Sequence, residues 1–531
     1  MVLWFGSWMI PPTFSRIGAT PIAFVVAAFA FWIATTNLFV NPSYTATGSY
    51  YAAFLFGGYL LARRARAIRT SVYSGAVAFG LAISAWALWQ QAAHGEARAH
   101  GLFITPATLG STINLILAPG LVLVAFGVRR LDLAAALVAL CTALAASESR
   151  GAWVALAAAG VVTFVFMLRA QTRLERTALL RVAGILAAGW SIAWLLRLAG
   201  DLTGMPQLFI GDEATQSFRS RLELYGLAIA SIQRSNWLLG TGYQAFYYFL
   251  EAGRGAVPSY STSTTDFVHN DYLQALLELG VPGLTGLLLL VVMPLTHAWR
   301  VARDLPRPEK AVLIAAIAAI ASMAVHGLVD FPFYIPLCVL IYGAVLGFAD
   351  DCDPQARFEH APRLPTGLRS DVVRRAVIAG AGALSFWILA LPVAAEAASL
   401  YGQRQLRTAD AQSAAFWLEA SRRLDPRDWR YHWYAGQFWS AQAATRSDPN
   451  AASLADRAFA AGYAANPREV RNLYERIVLH RRLRTLLALP ADAETMRAWA
   501  NHAVELAPTD PVVQAERERV FKQFPPLEIS K

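Results

Sequence analysis

The sequence predicts an all-α polytopic membrane protein with about eleven transmembrane helices, and three observations support this fold class. Of its 531 residues, 56% are hydrophobic and only 15% are charged, and the mean hydropathy is +0.39. A soluble domain carries roughly 25% charged residues. Apolar segments long enough to cross a bilayer recur along the chain, and arginines cluster between them. An Ala-rich stretch of different composition follows the last segment.

The apolar segments define the predicted spans, since a transmembrane helix needs about 17–25 residues. They cover residues 17–38, 48–62, 72–91, 104–127, 131–147, 151–168, 178–198, 276–299, 311–329, 333–349 and 376–395. Five loops on one side of these spans are rich in Arg and Lys, which marks that side as cytoplasmic. The basic residues are Arg63, Arg64, Arg66, Arg69, Arg129, Arg130, Arg169, Arg173, Arg176, Arg300, Arg303, Arg307, Lys310, Arg357, Arg363, Arg369, Arg374 and Arg375.

This orientation predicts two regions outside the cytoplasm. Residues 1–395 are expected to form the transmembrane domain, with a large outer loop at residues 199–275. Residues 396–531 are expected to form a separate C-terminal domain on the same outer side. The net charge of +10 is then explained by cytoplasmic loops and does not indicate nucleic-acid binding.

The C-terminal region shows a helical repeat pattern. Pro426, Pro467 and Pro508 each follow an Ala-bearing helical segment and recur every 41 residues. This pattern is typical of tetratricopeptide-type helical hairpins, although the usual repeat is about 34 residues. The alternative is a helical domain without repeats. Helical repeats commonly bind proteins, so this region predicts a possible protein partner.

His269 is the first candidate for a catalytic residue. It precedes Asn270 and Asp271 at the predicted start of a helix, after the outer loop and before a membrane span. The positive end of the helix dipole disfavours the imidazolium form, which leaves a ring nitrogen able to accept a proton. Asn270 or Asp271 can cap the helix. The alternative is a surface histidine within a capping motif.

Three arginines are candidates for binding phosphate. Arg219 and Arg221 lie in a predicted helix of the outer loop, and Arg150 lies between two spans on the outer side, against the positive-inside trend. The planar guanidinium group binds phosphate oxygens in a bidentate manner. The alternatives are a local pair of Arg150 with Glu148 and pairing of Arg219 and Arg221 with Glu223.

His326 and Asp330 form a further ionisable pair. Their i,i+4 spacing at the end of a predicted span places both on one helix face. Ionisable residues at a membrane are frequently functional, so the pair could position His269 or brace the site. A purely structural pair is the alternative. No His or Cys spacing suits zinc, and Gly240-Thr241-Gly242 lacks the rest of a nucleotide-binding motif, so no metal or cofactor is expected.

Several segments resemble the O-antigen ligase and O-antigen polymerase superfamily of bacterial inner-membrane enzymes, which includes O-linked oligosaccharyltransferases. The resemblance covers residues 50–350. The segments are Ser149-Arg150-Gly151-Ala152-Trp153, the Arg221 helix with Leu239-Gly240-Thr241-Gly242-Tyr243, His269-Asn270-Asp271-Tyr272-Leu273-Gln274 with Glu278-Leu279-Gly280, and His326 with Asp330-Phe331.

The resemblance implies a metal-independent, inverting glycan transfer from an undecaprenyl-diphosphate-linked donor at the periplasmic face. Arg150 and Arg221, with Arg219, would hold the diphosphate, and His269 would deprotonate or orient the acceptor hydroxyl. The supporting residues would be Asn270, Tyr272, His326 and Asp330. Metal-dependent lipid-linked glycosyltransferases usually carry an acidic pair in the first outer loop, and residues 37–48 contain no Asp or Glu.

The acceptor stays open at this point. It could be lipid A-core, a growing polysaccharide on a second lipid carrier, or a Ser/Thr of a pilin-like protein. A non-enzymatic transporter of lipid-linked glycans is an alternative from another class, but the internal repeats and interrupted spans of such transporters are not evident. A scaffold acting through the C-terminal region is a third alternative.

Overall fold

The computed structural model describes residues 20–41, 44–64, 69–94, 98–103, 105–172, 175–199, 212–260, 265–352, 391–392, 394–406 and 410–525. Within these ranges the regular structure is helical and contains no β-strand, which confirms the all-α prediction. The helices before residue 351 are α1 Pro21–Phe39, α2 Thr45–Arg64, α3 Arg69–His94, α4 Pro106–Ala125, α5 Leu131–Ser147, α6 Arg150–Arg169, α7 Arg176–Ala199, α8 Asp212–Arg234, α9 Phe246–Gly253, α10 Asp271–Val301, α11 Arg307–His326 and α12 Pro336–Asp350. The later helices are α13 Ala411–Leu424, α14 Trp429–Arg446, α15 Pro449–Ala465, α16 Val470–Arg482, α17 Ala493–Leu506 and α18 Pro511–Gln523.

Five described helices are long and apolar enough to cross a bilayer: α4, α6, most of α7, α10 and α11. Shorter apolar helices occupy Pro21–Asn37, Leu131–Ser147 and Pro336–Asp350. These segments confirm a multi-pass membrane protein. The total of eleven spans stays a prediction, because most of the predicted span 376–395 lies outside the described residues.

Contacts divide the chain into two units. Unit 1 is drawn from Met1–Ile33, Tyr50–Tyr225 and Phe267–Arg363, and unit 2 from Ala34–Ser49, Gly226–Asp266 and Leu364–Lys531. Every residue proposed above for catalysis, diphosphate binding or support belongs to unit 1. The predicted division into residues 1–395 and 396–531 stays a prediction.

Helix α11 lies at the centre of unit 1. It packs against α4 and α6, and most of its residues are buried. Ala and Ser make up eight of the 20 residues of this helix. Small side chains let helix backbones approach closely, which is how helices associate within a membrane. The packing places the C-terminal end of α11, at His326, next to the N-terminal end of α6.

Helix α10 contains a sharp bend at Gly280. The Gly280 backbone has φ 68° and ψ −166°, outside the helical region, and the bend separates a short N-terminal segment from the rest of α10. The carbonyl of Leu279 accepts a hydrogen bond from the Trp32 indole at 2.8 Å. The sequence predicted this break from Gly280, Pro282 and Gly283.

The same type of turn recurs between helices of the C-terminal region. Helices α13, α15 and α17 end at Leu424, Ala465 and Leu506, which are 41 residues apart as the prolines predicted. The N–H groups of Asp428, Glu469 and Asp510 then donate to the carbonyls of Asp425, Asn466 and Ala507. The carboxylates of the same three acids cap α14, α16 and α18. Likeness to tetratricopeptide repeats stays a prediction.

Candidate functional site

A histidine–aspartate pair forms the centre of the candidate site. His269 precedes α10, and Asp330 lies in the turn that follows α11, just beyond the helix end where the sequence placed it. The Nδ1 atom of His269 lies 3.1 Å from Oδ1 of Asp330. An ionised carboxylate only accepts hydrogen bonds, so Nδ1 is the donor. In the neutral ring, Nε2 is then the proton acceptor.

Asp330 is almost completely buried, with 4% of its side chain exposed, and it has two histidine neighbours. The second is His326, whose Nε2 lies 3.5 Å from Oδ2 of Asp330. Burial acts to raise the pKa of Asp330, but the hydrogen bond from His269 and the close contact with the His326 ring outweigh it and hold the pKa well below its usual range. Asp330 is therefore an ionised acceptor between two imidazole rings.

The backbone of His269 adopts an unusual conformation. Its φ is +58°, in the left-handed region that few residues other than glycine occupy. Asn270 caps α10 by accepting hydrogen bonds from the N–H groups of Tyr272 and Leu273, both at 3.0 Å. The Phe331 ring meets the His269 ring edge to face at 4.9 Å. Strained backbone of this kind often occurs at functional sites.

The turn after α11 is bound to the start of α10 by polar contacts. The Asn270 side chain donates from Nδ2 to the carbonyl of Leu328 at 3.0 Å. The Tyr225 hydroxyl lies 2.9 Å from the carbonyl of His269 and 3.2 Å from that of Leu328. Tyr225 thus connects α8 to both segments that carry the pair.

Tyr272 has a bracing contact. Its hydroxyl donates to the carbonyl of Ala324 at 2.8 Å, near the end of α11. This bond joins the first turn of α10 to the last turn of α11. The contact fits the supporting role expected for Tyr272.

Arg150 begins α6 at the same end of the helices as His326. A side chain at its neighbour Gly151 would begin 3.0 Å from Val329 Cγ2 and 3.5 Å from Nε2 of His326. A larger side chain at this position would crowd Val329, so the small size of glycine favours this close packing. Ser149 caps α6 by accepting the N–H of Ala152. Arg150 is therefore adjacent in sequence to Gly151, which packs against His326.

Two further arginines contact the turn between α5 and α6. Arg197, near the end of α7, forms an ion pair with Glu148. Arg98 donates to the carbonyls of Ser147 at 3.2 Å and Glu148 at 3.1 Å. The Glu148 carboxylate, which the alternative interpretation pairs with Arg150, thus has Arg197 as a partner.

The two arginines of α8 differ in their surroundings. Arg221 donates from Nη1 to Ser217 Oγ at 2.9 Å, and its buried Nε has no hydrogen-bond partner among the described residues. Burial raises the pKa of Tyr225, and the nearby charge of Arg221 opposes this rise. Arg219 is 81% exposed and lies 3.8 Å from Glu223, which is the alternative local pair.

The structure brings His269, Asp330, His326 and Asn270 together and places Arg150 nearby. Sequence reasoning missed Tyr225, Arg98 and Arg197. Tyr225 follows Arg221 by one helical turn, and Arg197 lies at the end of a span opposite the loops that the sequence predicts to be cytoplasmic, so both residues could have been found from the sequence. Among the described residues no group of three or more His, Cys, Asp or Glu is placed to hold a metal ion. Independence from metals stays a prediction.

The helices and this cluster define a multi-pass membrane protein with an ionisable site where α6 and α10 begin and α11 ends. Residues 135–288 match the family model described as O-antigen ligase. This match confirms the resemblance to the O-antigen ligase and polymerase superfamily over residues 135–288. No curated protein matches the chain. The matched region contains Arg150, Arg219, Arg221, His269, Asn270 and Tyr272, whereas His326 and Asp330 lie beyond it.

Proposed function

We propose that this protein transfers a glycan from an undecaprenyl-diphosphate-linked donor to an acceptor hydroxyl at the periplasmic face of the bacterial inner membrane. The family match supports glycan transfer of the O-antigen ligase and polymerase type. The observation that carries the residue-level proposal is the 3.1 Å contact between His269 Nδ1 and Asp330 Oδ1. It leaves Nε2 of His269 available as a general base.

In the proposed reaction, the acceptor oxygen attacks the anomeric carbon of the donor glycan and forms the new glycosidic bond. The bond from that carbon to the diphosphate oxygen breaks, with inversion. The proton of the acceptor hydroxyl passes to Nε2 of His269, and Asp330 stabilises the resulting imidazolium. Undecaprenyl diphosphate leaves as an anion.

The arginines are proposed to hold this diphosphate. Arg150 is supported by its place at the start of α6, where the helix dipole also favours an anion. Arg221 is supported by its buried Nε, which can donate to a phosphate oxygen. Arg219 is exposed and pairs with Glu223, so we assign it the smaller contribution. No metal ion is needed in this scheme.

The proposal is tested in cells that lack the chromosomal copy and carry plasmid variants. His269→Ala should reduce glycan transfer by about 10²–10⁴-fold, the usual contribution of general-base catalysis. His502→Ala is the matched control, because His502 is a partly exposed histidine of α17. Arg150→Ala and Arg221→Ala should also lose transfer, unlike Arg234→Ala on the exposed end of α8.

If the His269→Ala variant transfers glycan at the normal rate, His269 is not the general base. If Arg150→Ala and Arg221→Ala were normal as well, the enzyme proposal itself would fail and a transporter would become the better explanation. Mass spectrometry of lipopolysaccharide, polysaccharide and pilin-like proteins from the deletion strain identifies the acceptor, since only the true acceptor loses its glycan.

A further inference from the structure

Asp271 makes two contacts that bear on the geometry of the candidate site. It is the first residue of α10, two positions after His269, and its side chain is completely buried. Its backbone N–H donates to the carbonyl of Gly327 at 2.8 Å. Its carboxylate Oδ2 accepts the backbone N–H of Phe333 at 3.1 Å.

These two bonds hold both ends of the turn that carries Asp330. Gly327 lies three residues before Asp330, and Phe333 lies three residues after it. A Cβ atom at Gly327 would begin 2.8 Å from Oδ2 of Asp271, so the close approach requires glycine there. Asp271, two residues after His269, thus fixes the turn that carries Asp330.

Folding stability alone does not explain a carboxylate at this position. Burying a carboxyl group with one unpaired oxygen costs about 1–3 kcal/mol, and apolar replacements often stabilise better. Oδ1 of Asp271 has no hydrogen-bond partner among the described residues. A buried polar group that is only half satisfied calls for a functional explanation.

We propose that Asp271 is a positioning residue that holds Asp330 within hydrogen-bond distance of His269. The inference rests on the proposed function, in which that pair acts as the base. A displacement of about 1 Å would break a hydrogen bond of 3.1 Å and can lower a catalysed rate by roughly 10²-fold. Asp271 acts through the Phe333 N–H and the turn, without contact to substrate.

The test compares Asp271→Ala with Asp271→Asn in the purified full chain, reconstituted in proteoliposomes. The donor is undecaprenyl-diphosphate-linked glycan extracted from the bacterium that produces the protein. The acceptor is the lipopolysaccharide, polysaccharide or protein that loses its glycan in the deletion strain. Asp271→Ala removes the acceptor of the Phe333 N–H, so kcat should fall about 10–100-fold with KM nearly unchanged. Asp271→Asn keeps a carbonyl acceptor and should stay within about threefold of the parent.

A double-mutant cycle distinguishes positioning from a general structural role. In an Asp330→Asn background, Asp271→Ala should cause little additional loss, because both act on the same pair. A merely structural role would lower activity equally in both backgrounds. If Asp271→Ala does not fold, Gly327→Ala disturbs the same contact from the other side and should show the same dependence on Asp330.

Three results would overturn the inference: parental activity in Asp271→Ala, equal losses in Asp271→Ala and Asp271→Asn, or equal losses in both Asp330 backgrounds. The proposed function fails separately. Transfer at the parental rate by His269→Ala would contradict that function, whereas loss in His269→Ala with parental rates in Asp271→Ala contradicts only the role of Asp271.

Discussion

At the scale of single residues, the central feature is Asp330 between His269 and His326. Its depressed pKa means that its ionised form stabilises the folded site. That contribution is present above the ordinary carboxyl pKa of about 3.9 and is lost as the pH falls through the lower pKa of the folded protein. Across pH 5–9 Asp330 therefore stays ionised, and changes in activity within this range should come from other groups.

Asp330→Asn should strongly reduce glycan transfer while leaving the protein folded. The amide is neutral and cannot stabilise an imidazolium, and it can favour the wrong tautomer of His269. In a serine-protease triad the equivalent change costs about 10⁴-fold, so a loss of 10-fold or more is expected here. The measurement is the rate of transfer in proteoliposomes from pH 5 to 9.

The matched control is Asp304→Asn, which neutralises an exposed carboxylate in the loop between α10 and α11. It should leave the rate unchanged. Equal activity of Asp330→Asn and Asp304→Asn would contradict a role for the His269–Asp330 pair.

The residue types of the site could be predicted from the sequence, but their geometry could not. A histidine beside a capping Asn and an i,i+4 His–Asp pair are local patterns. The bond from His269 to Asp330 joins residues 61 positions apart, and it depends on how α10 meets α11. The positive φ of His269 has no signal in the sequence.

At the scale of secondary-structure elements, the bend in α10 separates the segment next to His269 from the membrane-spanning segment. Gly280 has a positive φ with an extended ψ, a combination that is essentially restricted to glycine. Gly280→Ala should therefore destabilise the folded protein by about 1–3 kcal/mol. The measurement is the midpoint of thermal unfolding of the full chain in detergent.

Gly160→Ala provides the control for this change. Gly160 lies within α6, and a Cβ atom there would meet nothing within 4 Å. Alanine favours the helix over glycine by up to about 1 kcal/mol, so this variant should be neutral or more stable. An unchanged midpoint for Gly280→Ala would show that the bend does not require glycine.

Helix positions could be predicted more closely than helix contacts. The predicted span 131–147 coincides with α5, and spans 151–168 and 178–198 lie within one or two residues of α6 and α7. Hydropathy is a local property, so it identifies segments well. It carries no information on partners, such as the packing of α11 against α4 and α6 or the Trp32 bond at the α10 bend.

At the scale of the whole molecule, unit 2 joins the C-terminal region to part of the loop predicted to lie outside the cytoplasm. The Asn466 side chain donates to the Tyr248 hydroxyl at 2.6 Å, and this hydroxyl lies 3.0 Å from that of Tyr44. Arg468 donates to the carbonyl of Thr241 at 3.3 Å and lies over the Phe249 ring at 5.9 Å. Asn466 belongs to the turn that recurs every 41 residues, so one copy of this turn provides the contact with Tyr248.

Removing these contacts should loosen the loop without unfolding the helices of the C-terminal region. Each hydrogen bond contributes about 1 kcal/mol, so the double variant Asn466→Ala/Arg468→Ala should raise amide hydrogen exchange in residues 241–250 by roughly 10–100-fold. Arg517→Ala is the control, because Arg517 bonds Asn501 between α17 and α18 at 2.8 Å. In Arg517→Ala, amide hydrogen exchange in residues 241–250 should match that of the parent protein. If the double variant also exchanges at the parental rate, the C-terminal region does not stabilise the loop.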